Sequence, residues 1–253
     1  MKTKVIAIIP ARYASSRFPG KMLAPIMGKS LLQRTYERVI ACSIIDDVLI
    51  ATDHKLILDH AASFGAKALL TSPNHPTGSD RLIEVLQKYP ELTQAGIILN
   101  VQGDEPCISP TTLLNVCQAL IDNKQECMAT VAVKITDPQE IQSPSVVKCV
   151  MDLQDHALYF SRSPIPGTKP LGKHEPFYYK HMGIYAFRRE FLLTYGTLAQ
   201  TPLQLVEDLE QLKVLEAGYK IKVVYTNECS PAVDIPEDIQ RVTEWLCSQN
   251  SYS

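Results

Sequence analysis

The chain has 253 residues, a formal net charge of −2, and 45% apolar and 21% charged residues, the make-up of an ordinary globular protein able to bury a large core. Near-neutral charge excludes a global attraction to nucleic acid or anionic membrane, so any anion site must be local. The short apolar run at the N-terminus meets Arg12 and Arg17 at once, too short for a membrane span and without a signal-cleavage pattern; with 7 cysteines that never reach C-x-x-C spacing, the expectation is a cytoplasmic chain of free thiols, with neither a zinc site nor a disulfide framework.

In chain order, Val5 to Ile9 reads as a buried strand. It opens into a loop, IIPARYASSRFPGK, that carries Arg12, Arg17 and Lys21 between the small residues Ala14, Ser15, Ser16 and Gly20. A cationic, small-residue loop leaving the carboxyl end of a parallel strand suits a phosphorylated ligand, because backbone N–H groups approach its oxygens while Arg and Lys neutralise its charge. Neither GxxxxGK[ST] nor GxGxxG is present, so this is not a P-loop. Ser30 and Gln33 form a capping-box pattern opening the amphipathic helix LLQRTYERVIAC. DDVLIAT predicts a strand ending at Thr52, with Asp53 as N-cap of a helix that Gly65 ends. AKALL predicts a strand, TSPNHPTGSD a loop and RLIEVLQKY a helix. GIILNVQ is a continuous apolar run, the mark of a central strand covered on both faces. Ser109-Pro110 then starts a helix through TTLLNVCQALI, and ATVAVKI predicts a further strand. This rhythm predicts an α/β fold with a mostly parallel sheet and helices on both faces.

From residue 146 to 187 the pattern changes to VVKCVMD, ALYFS, the Pro- and Gly-containing SPIPGTKPLGKHEP, and HMGIYAF. This predicts a strand-rich, more antiparallel insertion laid over the sheet as a lid or dimerisation element, within one domain spanning 1–253. A helix is predicted over Leu203 to Ala217, then the strand KIKVVYT and a last helix from about Pro236.

Several residues could carry chemistry, each with a structural alternative. Gln102-Gly103-Asp104-Glu105-Pro106 follows the central strand and faces the cationic loop; Asp104 suits a Mg²⁺–nucleotide site or merely closes a turn. Gly103 favours the first reading, since a ligand or metal approaching closely requires its missing side chain. Asp234, in AVDIPEDIQ, is a second metal ligand or a helix cap. Thr77-Gly78-Ser79-Asp80-Arg81 offers groups to a base or ribose, or is an ordinary capped helix start. Arg162 after LYF demands an anionic partner. Taken alone, His181 reads as a satisfied core histidine, and Glu210-Gln211 as part of a solvated helix face.

Together IIPARYASSRFPGK, ATDH, NVQGDEP, LYFSRSPIP, HMGIYAF, VEDLEQLKVLEAG and VDIPED resemble, in order, the 3-deoxy-D-manno-octulosonate (Kdo) cytidylyltransferases, from Lys4 to about Trp245. The PAR-x-x-S-x-R-x-PGK segment is shared with other cytidylyltransferases acting on acidic sugars; SRSPIP, GIYAF and LEQL narrow the resemblance to the Kdo branch. The departures are Phe18 where Leu is common, Met22 where Pro is common, and Asp80 for Glu. The resemblance implies a Rossmann-like nucleotide-diphospho-sugar transferase fold, Mg²⁺ as cofactor, a homodimer, and the reaction CTP + Kdo → CMP-Kdo + pyrophosphate, activating the sugar for lipopolysaccharide synthesis. It places Arg12, Arg17 and Lys21 on the triphosphate, with Arg17 and Lys21 also stabilising the reacting phosphate. Pro10 and Ala11, with Thr77, Gly78, Ser79 and Arg81, would surround the cytidine; Asp104 and Asp234 would ligate Mg²⁺. Gln102, Arg162, His181, Tyr185, Glu210 and Gln211 would line the sugar site. The competing expectations are a cytidylyltransferase for another α-keto acid sugar (sialic acid or amino-Kdo) and a non-catalytic nucleotide-binding regulator.

Overall fold

In the computed structural model the described residues are 2–15, 17–89, 92, 94–167, 177–228 and 230–250. The strands run β1 (Val5–Ala11), β2 (Pro25–Ile26), β3 (Lys29–Ser30), β4 (Asp47–Thr52), β5 (Lys67–Leu70), β6 (Ile97–Asn100), β7 (Met128–Lys134), β8 (Lys148–Met151), β9 (Ala157–Ser161), β10 (Tyr179–Arg188) and β11 (Lys222–Thr226). The helices are α1 (Leu31–Ile40), α2 (Lys55–Ser63), α3 (Gly78–Lys88), α4 (Pro110–Asp122), α5 (Pro138–Gln142), α6 (Arg189–Tyr195), α7 (Pro202–Glu207), α8 (Leu212–Glu216) and α9 (Asp238–Asn250).

The main sheet has the order β11-β7-β10-β6-β1-β4-β5, with β8 attached to β10 and β9 to β8. Along that order the pairs are parallel except at β10, which is antiparallel to both β6 and β7, and the β10–β8 and β8–β9 pairs are antiparallel too. Every residue of β1 is buried, and the pleat sends alternate side chains to opposite faces. Val5, Ala7 and Ile9 enter one core with Leu32 and Val39 of α1 and Leu113 and Val116 of α4. Ile6 and Ile8 enter the other with Leu82 and Val85 of α3 and Phe191 and Leu192 of α6. A third cluster, Ile26, Leu31, Cys107, Val233 and Val242, docks α9 beside the strand-end loops. Two apolar layers around a sheet with helices on each face bear out the expected α/β class.

Three local readings change. The segment 146–187 is antiparallel as expected, but β10 runs through the middle of the sheet rather than over it; only β8 and β9 form an appendage. Residues 168–176 of the Pro- and Gly-containing loop lie outside the described residues. The helix predicted over Leu203 to Ala217 is two helices, because Asp208 takes a left-handed conformation (φ 51°) that ends α7 and turns the chain before α8. The N-cap of α2 is His54, whose side chain accepts from Leu56 N, so Asp53 is freed for another use. At Ser30 the predicted cap forms, accepting from Gln33 N at 3.0 Å, while the Gln33 amide turns to Glu37 instead of completing the box.

Candidate active site at the carboxyl edge of the sheet

Parallel pairing of β1 with β6 sets Ile8 opposite Asn100, so the loops leaving both strands emerge side by side. The loop after β1 brings the cations and the loop after β6 brings Gln102 to Asp104. Gly103 is held at this junction by Thr35, whose hydroxyl donates to Gly103 O at 2.9 Å. A Cβ on Gly103 would stand 2.8 Å from Met22 Sδ and 3.2 Å from Pro10 O. The protein's own loops thus crowd the space a side chain would take at Gly103, which also lines the cleft itself.

These loops, with the start of α3, wall a cleft of about 240 Å³ lined by Pro10, Arg12, Arg17, Lys21, Thr77, Gly78, Arg81, Gln102, Asp104 and Asp234, among others. Lys21, only 7% exposed, donates to Asp104 Oδ2 at 2.6 Å and to Val233 O at 2.9 Å, and lies 3.8 Å from Asp234 Oδ1. Arg17 donates to Asp234 Oδ1 at 3.0 Å. This pair is open to solvent on both sides, 61% and 52% exposed, and such pairs contribute only about 0–1 kcal/mol. Arg17 can therefore exchange its carboxylate partner for a phosphate at little cost. Asp234 is not the cap of α9: its backbone N–H donates to Asp238 Oδ2 at 2.8 Å, leaving its own carboxylate for Arg17 and Lys21. Val233 N donates to Asp104 O at 3.0 Å, which fixes the two aspartate loops to each other. The two carboxylates meet at a single cationic point. That donor set fits Mg²⁺, which takes one or two carboxylates and completes its shell with phosphate oxygens and water.

Thr77 caps α3, accepting from Asp80 N at 3.2 Å and donating to Asp80 Oδ2 at 2.7 Å, and the positive end of that helix dipole faces the cleft. Ala11 and Ser79 do not line the cleft. Ala11 is buried in β1, and Ser79, fully buried, donates to Glu210 Oε1 at 3.1 Å. Arg81 is 3% exposed. It donates to Thr71 Oγ1, to Ser72 O at 3.2 Å and to Asp53 Oδ2 at 3.4 Å. Asp53 also accepts from Tyr13 N at 3.0 Å, so one buried carboxylate joins the cationic loop to α3. Glu84, also on α3, accepts from Ser72 N at 2.8 Å and contacts His75 and Lys88. Burial opposes its ionisation, yet the hydrogen bonds from Lys88, His75 and Ser72 hold its carboxyl down at about 2. It thereby pins the loop carrying His75 and Pro76 over the cleft.

Arg17 and Asp234 also wall a second cleft, of about 660 Å³, whose other side is formed by Glu105, Glu140, Lys180, His181 and the α9 residues Arg241 and Trp245. A third, of about 370 Å³, shares Lys180, His181 and Gly183 with it and adds Tyr185, Glu210 and Gln211. His181 sits edge-on to Phe160, with Nε2 2.8 Å from Thr130 Oγ1. Burial pushes its imidazole down to about 3, so it is neutral. Since Thr130 donates its one proton to Ile184 O at 2.8 Å, His181 Nε2 carries the proton and Nδ1 is left as an acceptor. Ile184 lies in the β10 irregularity between Met182 and Tyr185, a bulge of the kind often found beside active sites. Tyr185 donates to Gln211 Oε1 at 3.1 Å. Glu210 accepts from Tyr195 OH at 3.2 Å, and burial raises its pKa. The turn at Asp208 brings Glu210 and Gln211 inward, against the reading of a solvated helix face.

The residues expected around the sugar separate. Gln102 lines the nucleotide cleft; His181, Tyr185, Glu210 and Gln211 line the others. Arg162 lines none of these clefts, its guanidinium being occupied by Glu207 O at 2.7 Å, Pro144 O at 3.1 Å and Asp208 O at 3.2 Å. Glu105, named in the sequence only as the neighbour of Asp104, lines the second cleft. Burial, reinforced by the charges of Asp104 and Asp234, pushes its carboxyl up to about 8. Its Oε2, like Gln211 Nε2, is buried with no hydrogen-bond partner among the described residues. Among the described residues no group of three or more His, Cys, Asp or Glu is placed to hold a metal.

Residues 6–221 match the family model described as Cytidylyltransferase. The 3-deoxy-manno-octulosonate cytidylyltransferase of Protochlamydia amoebophila is 50% identical over 100% of this chain and 98% of its own. The chain belongs to that family. The Geobacter metallireducens member is 44% identical, over 96% of this chain and 98% of its own. A solved CMP:2-keto-3-deoxy-manno-octonic acid synthetase complexed with CTP superimposes with a TM-score of 0.91 at 38% identity, covering 98% of this chain and 100% of that one. The fold extends further: a 4-diphosphocytidyl-2C-methyl-D-erythritol synthase from Anaerococcus prevotii matches with a TM-score of 0.64 at 17% identity, over 98% and 100% of the two chains. In this chain the cationic loop, Asp104, Asp234 and the α3 start wall one cleft, and Arg162 lines neither it nor the two beside it.

Proposed function

We propose that the chain transfers CMP from CTP to the anomeric hydroxyl of Kdo, releasing pyrophosphate and activating the sugar for lipopolysaccharide synthesis. The observation that carries this reading is the Arg17–Asp234 pair, which belongs to both the cationic cleft and the second cleft. A nucleotide in the first and an acceptor in the second would meet there. The anomeric oxygen attacks the α-phosphorus, the bond from that phosphorus to the bridging oxygen breaks, pyrophosphate leaves, and the hydroxyl proton passes to solvent. Arg12, Arg17 and Lys21 bind the triphosphate and offset the charge spread over its oxygens. The buried, unpartnered Glu105 Oε2 and Gln211 Nε2 suit a hydroxyl-rich acceptor.

Asp104 and Asp234 would hold Mg²⁺. When bound it would neutralise phosphate charge and make a coordinated hydroxyl more acidic. A homodimer is in keeping with the exposed Leu158, Leu205 and Val206, which a second copy would cover, and sedimentation equilibrium reads this directly. A reducing cytoplasm suits Cys42, Cys107, Cys117, Cys127 and Cys149, all free thiols; no helix among the described residues is long and apolar enough to cross a membrane.

The test is pyrophosphate release from CTP and Mg²⁺ with Kdo, with sialic acid and with no sugar. Release with Kdo alone is expected. Release with another sugar refutes the acceptor, and no release with any acceptor leaves a nucleotide-binding protein.

A further inference from the structure

An α-keto acid sugar carries its carboxylate on the anomeric carbon, the carbon whose hydroxyl attacks. The cation that receives this carboxylate must therefore stand beside the reacting centre, since a charge-assisted hydrogen bond spans only about 2.8 Å. Arg162 does not meet this condition. Each of its donor nitrogens is already on a backbone carbonyl, of Pro144, Glu207 or Asp208, the Glu207 contact part-buried and the other two at the surface. The buried Lys148 is committed in the same way, to the carbonyls of Ser143, Val146 and Arg162. Lys148 and Arg162 together hold the Ser143–Val146 turn, whose Ser145 and Val146 line the second and third clefts. Arg17 is the phosphate-side partner of Asp234. Arg241, 65% exposed, is turned to Asp238 on the outer helix.

Lys180 is placed differently. It lies on β10, lines both the second and the third cleft, and is followed directly by His181. Its charge acts on Glu105, whose neighbour is Asp104. Its ammonium donates to Glu140 Oε1 at 2.6 Å, across the cleft rim from α5. Glu140, 31% exposed, occupies the position of an anionic partner, and a lysine carries a compact charge on a flexible stem that can turn from one carboxylate to another.

Building on the cytidylyltransferase reading, we propose that Lys180, and not Arg162, is the specificity cation that binds the acceptor's carboxylate. Arg162 is a positioning residue for the turn that walls the acceptor clefts.

The measurement is kcat/KM for Kdo relative to its methyl ester, by pyrophosphate release, in the wild-type chain and in Lys180→Met, Lys180→Arg and Arg162→Gln. The ester keeps the attacking hydroxyl and loses the charge. Lys180→Met should lower kcat/KM for the acid on the order of a hundredfold, bring the acid-to-ester ratio toward one, and leave KM for CTP within about twofold. Lys180→Arg should keep most of the ratio. Arg162→Gln should keep the ratio even where its turnover or melting temperature falls. A wild-type ratio that survives Lys180→Met, or one that collapses in Arg162→Gln, overturns the assignment while the cytidylyltransferase reading stands. No release from the wild-type chain with either acceptor overturns both.

Discussion

Lys21 and the two aspartates show how one side chain can decide what a site accepts. The Lys21 ammonium, 2.6 Å from Asp104 and 3.8 Å from Asp234, keeps two carboxylates together that would otherwise repel. Removing the Asp104 charge therefore takes more from catalysis than from folding, because Lys21 retains Val233 O and Asp234 as neighbours. Asp104→Asn is expected to cut turnover by about 10²–10³-fold with a melting temperature within a few degrees of the parent; near-normal turnover would remove Asp104 from the site. Arg12, Arg17, Lys21 and Asp104 were legible in the sequence because a strand-end loop is the one place where cations and acids so close to apolar runs have work to do. Lys180, Glu105 and Asp53 were not legible in these roles. Each is a single polar residue whose meaning lies in a partner that only the folded chain brings near.

At the scale of elements, the joint between the β1 loop, the end of β4 and α3 rests on Asp53, which accepts from Tyr13 N and from Arg81, 28 residues along the chain. Read locally, an Asp between a strand and a helix is a cap; the structure gives that task to His54 and uses Asp53 for a buried ion pair, with side chains 9% and 4% exposed. Breaking such a pair from one side leaves a charge in the interior, at a cost of about 3–5 kcal/mol. Asp53→Asn, which keeps an acceptor oxygen, should fall at or just below that range in urea unfolding and raise KM for CTP by loosening Tyr13 and Arg12. A loss under about 1 kcal/mol would show that the joint is not held there. The same limit on local reading explains Asp208. Hydrophobic spacing continues through Leu205, Leu209 and Leu212, so periodicity alone predicts one helix, and a single positive φ in an Asp, which tolerates it, divides that helix in two. Apolar runs likewise revealed that residues 181–187 form a strand but not which strands flank it.

For the whole molecule, the neutral His181 ties stability to pH. Burial holds its folded pKa down at about 3, against about 6.5 in an unfolded chain. Between those values the unfolded state takes up a proton that the folded state refuses, so this contribution falls as pH drops below about 6.5, by about 1.4 kcal/mol per unit. His181→Gln has no such proton. Its stability relative to the parent should improve by about 2 kcal/mol between pH 7 and pH 5; a difference that stays constant with pH would mean that His181 is solvated. Glu84, held at about 2, acts in the same acid direction but over a lower window, contributing fully above about 4.5 and losing its contribution as pH falls toward 2. The sheet as a whole was legible from its alternating elements, since each strand is a self-contained apolar run, whereas the clefts arise where distant segments meet.

The reversed strand β10 also bears on how the chain is made. It joins β6 to β7 in the sheet, yet it lies at residues 179–188, after both of them. During synthesis the β5-β4-β1-β6 half is complete long before the strand that links it to β7 leaves the ribosome. Until residue 188 emerges, β6 and β7 each present an open edge of unpaired N–H and C=O groups, the kind of edge that recruits strands from other chains. A nascent chain stalled before Tyr179 therefore keeps the β6 edge open, and the strand that carries Lys180 and His181 to the clefts is the one that closes it, while the far edge of β7 waits for β11.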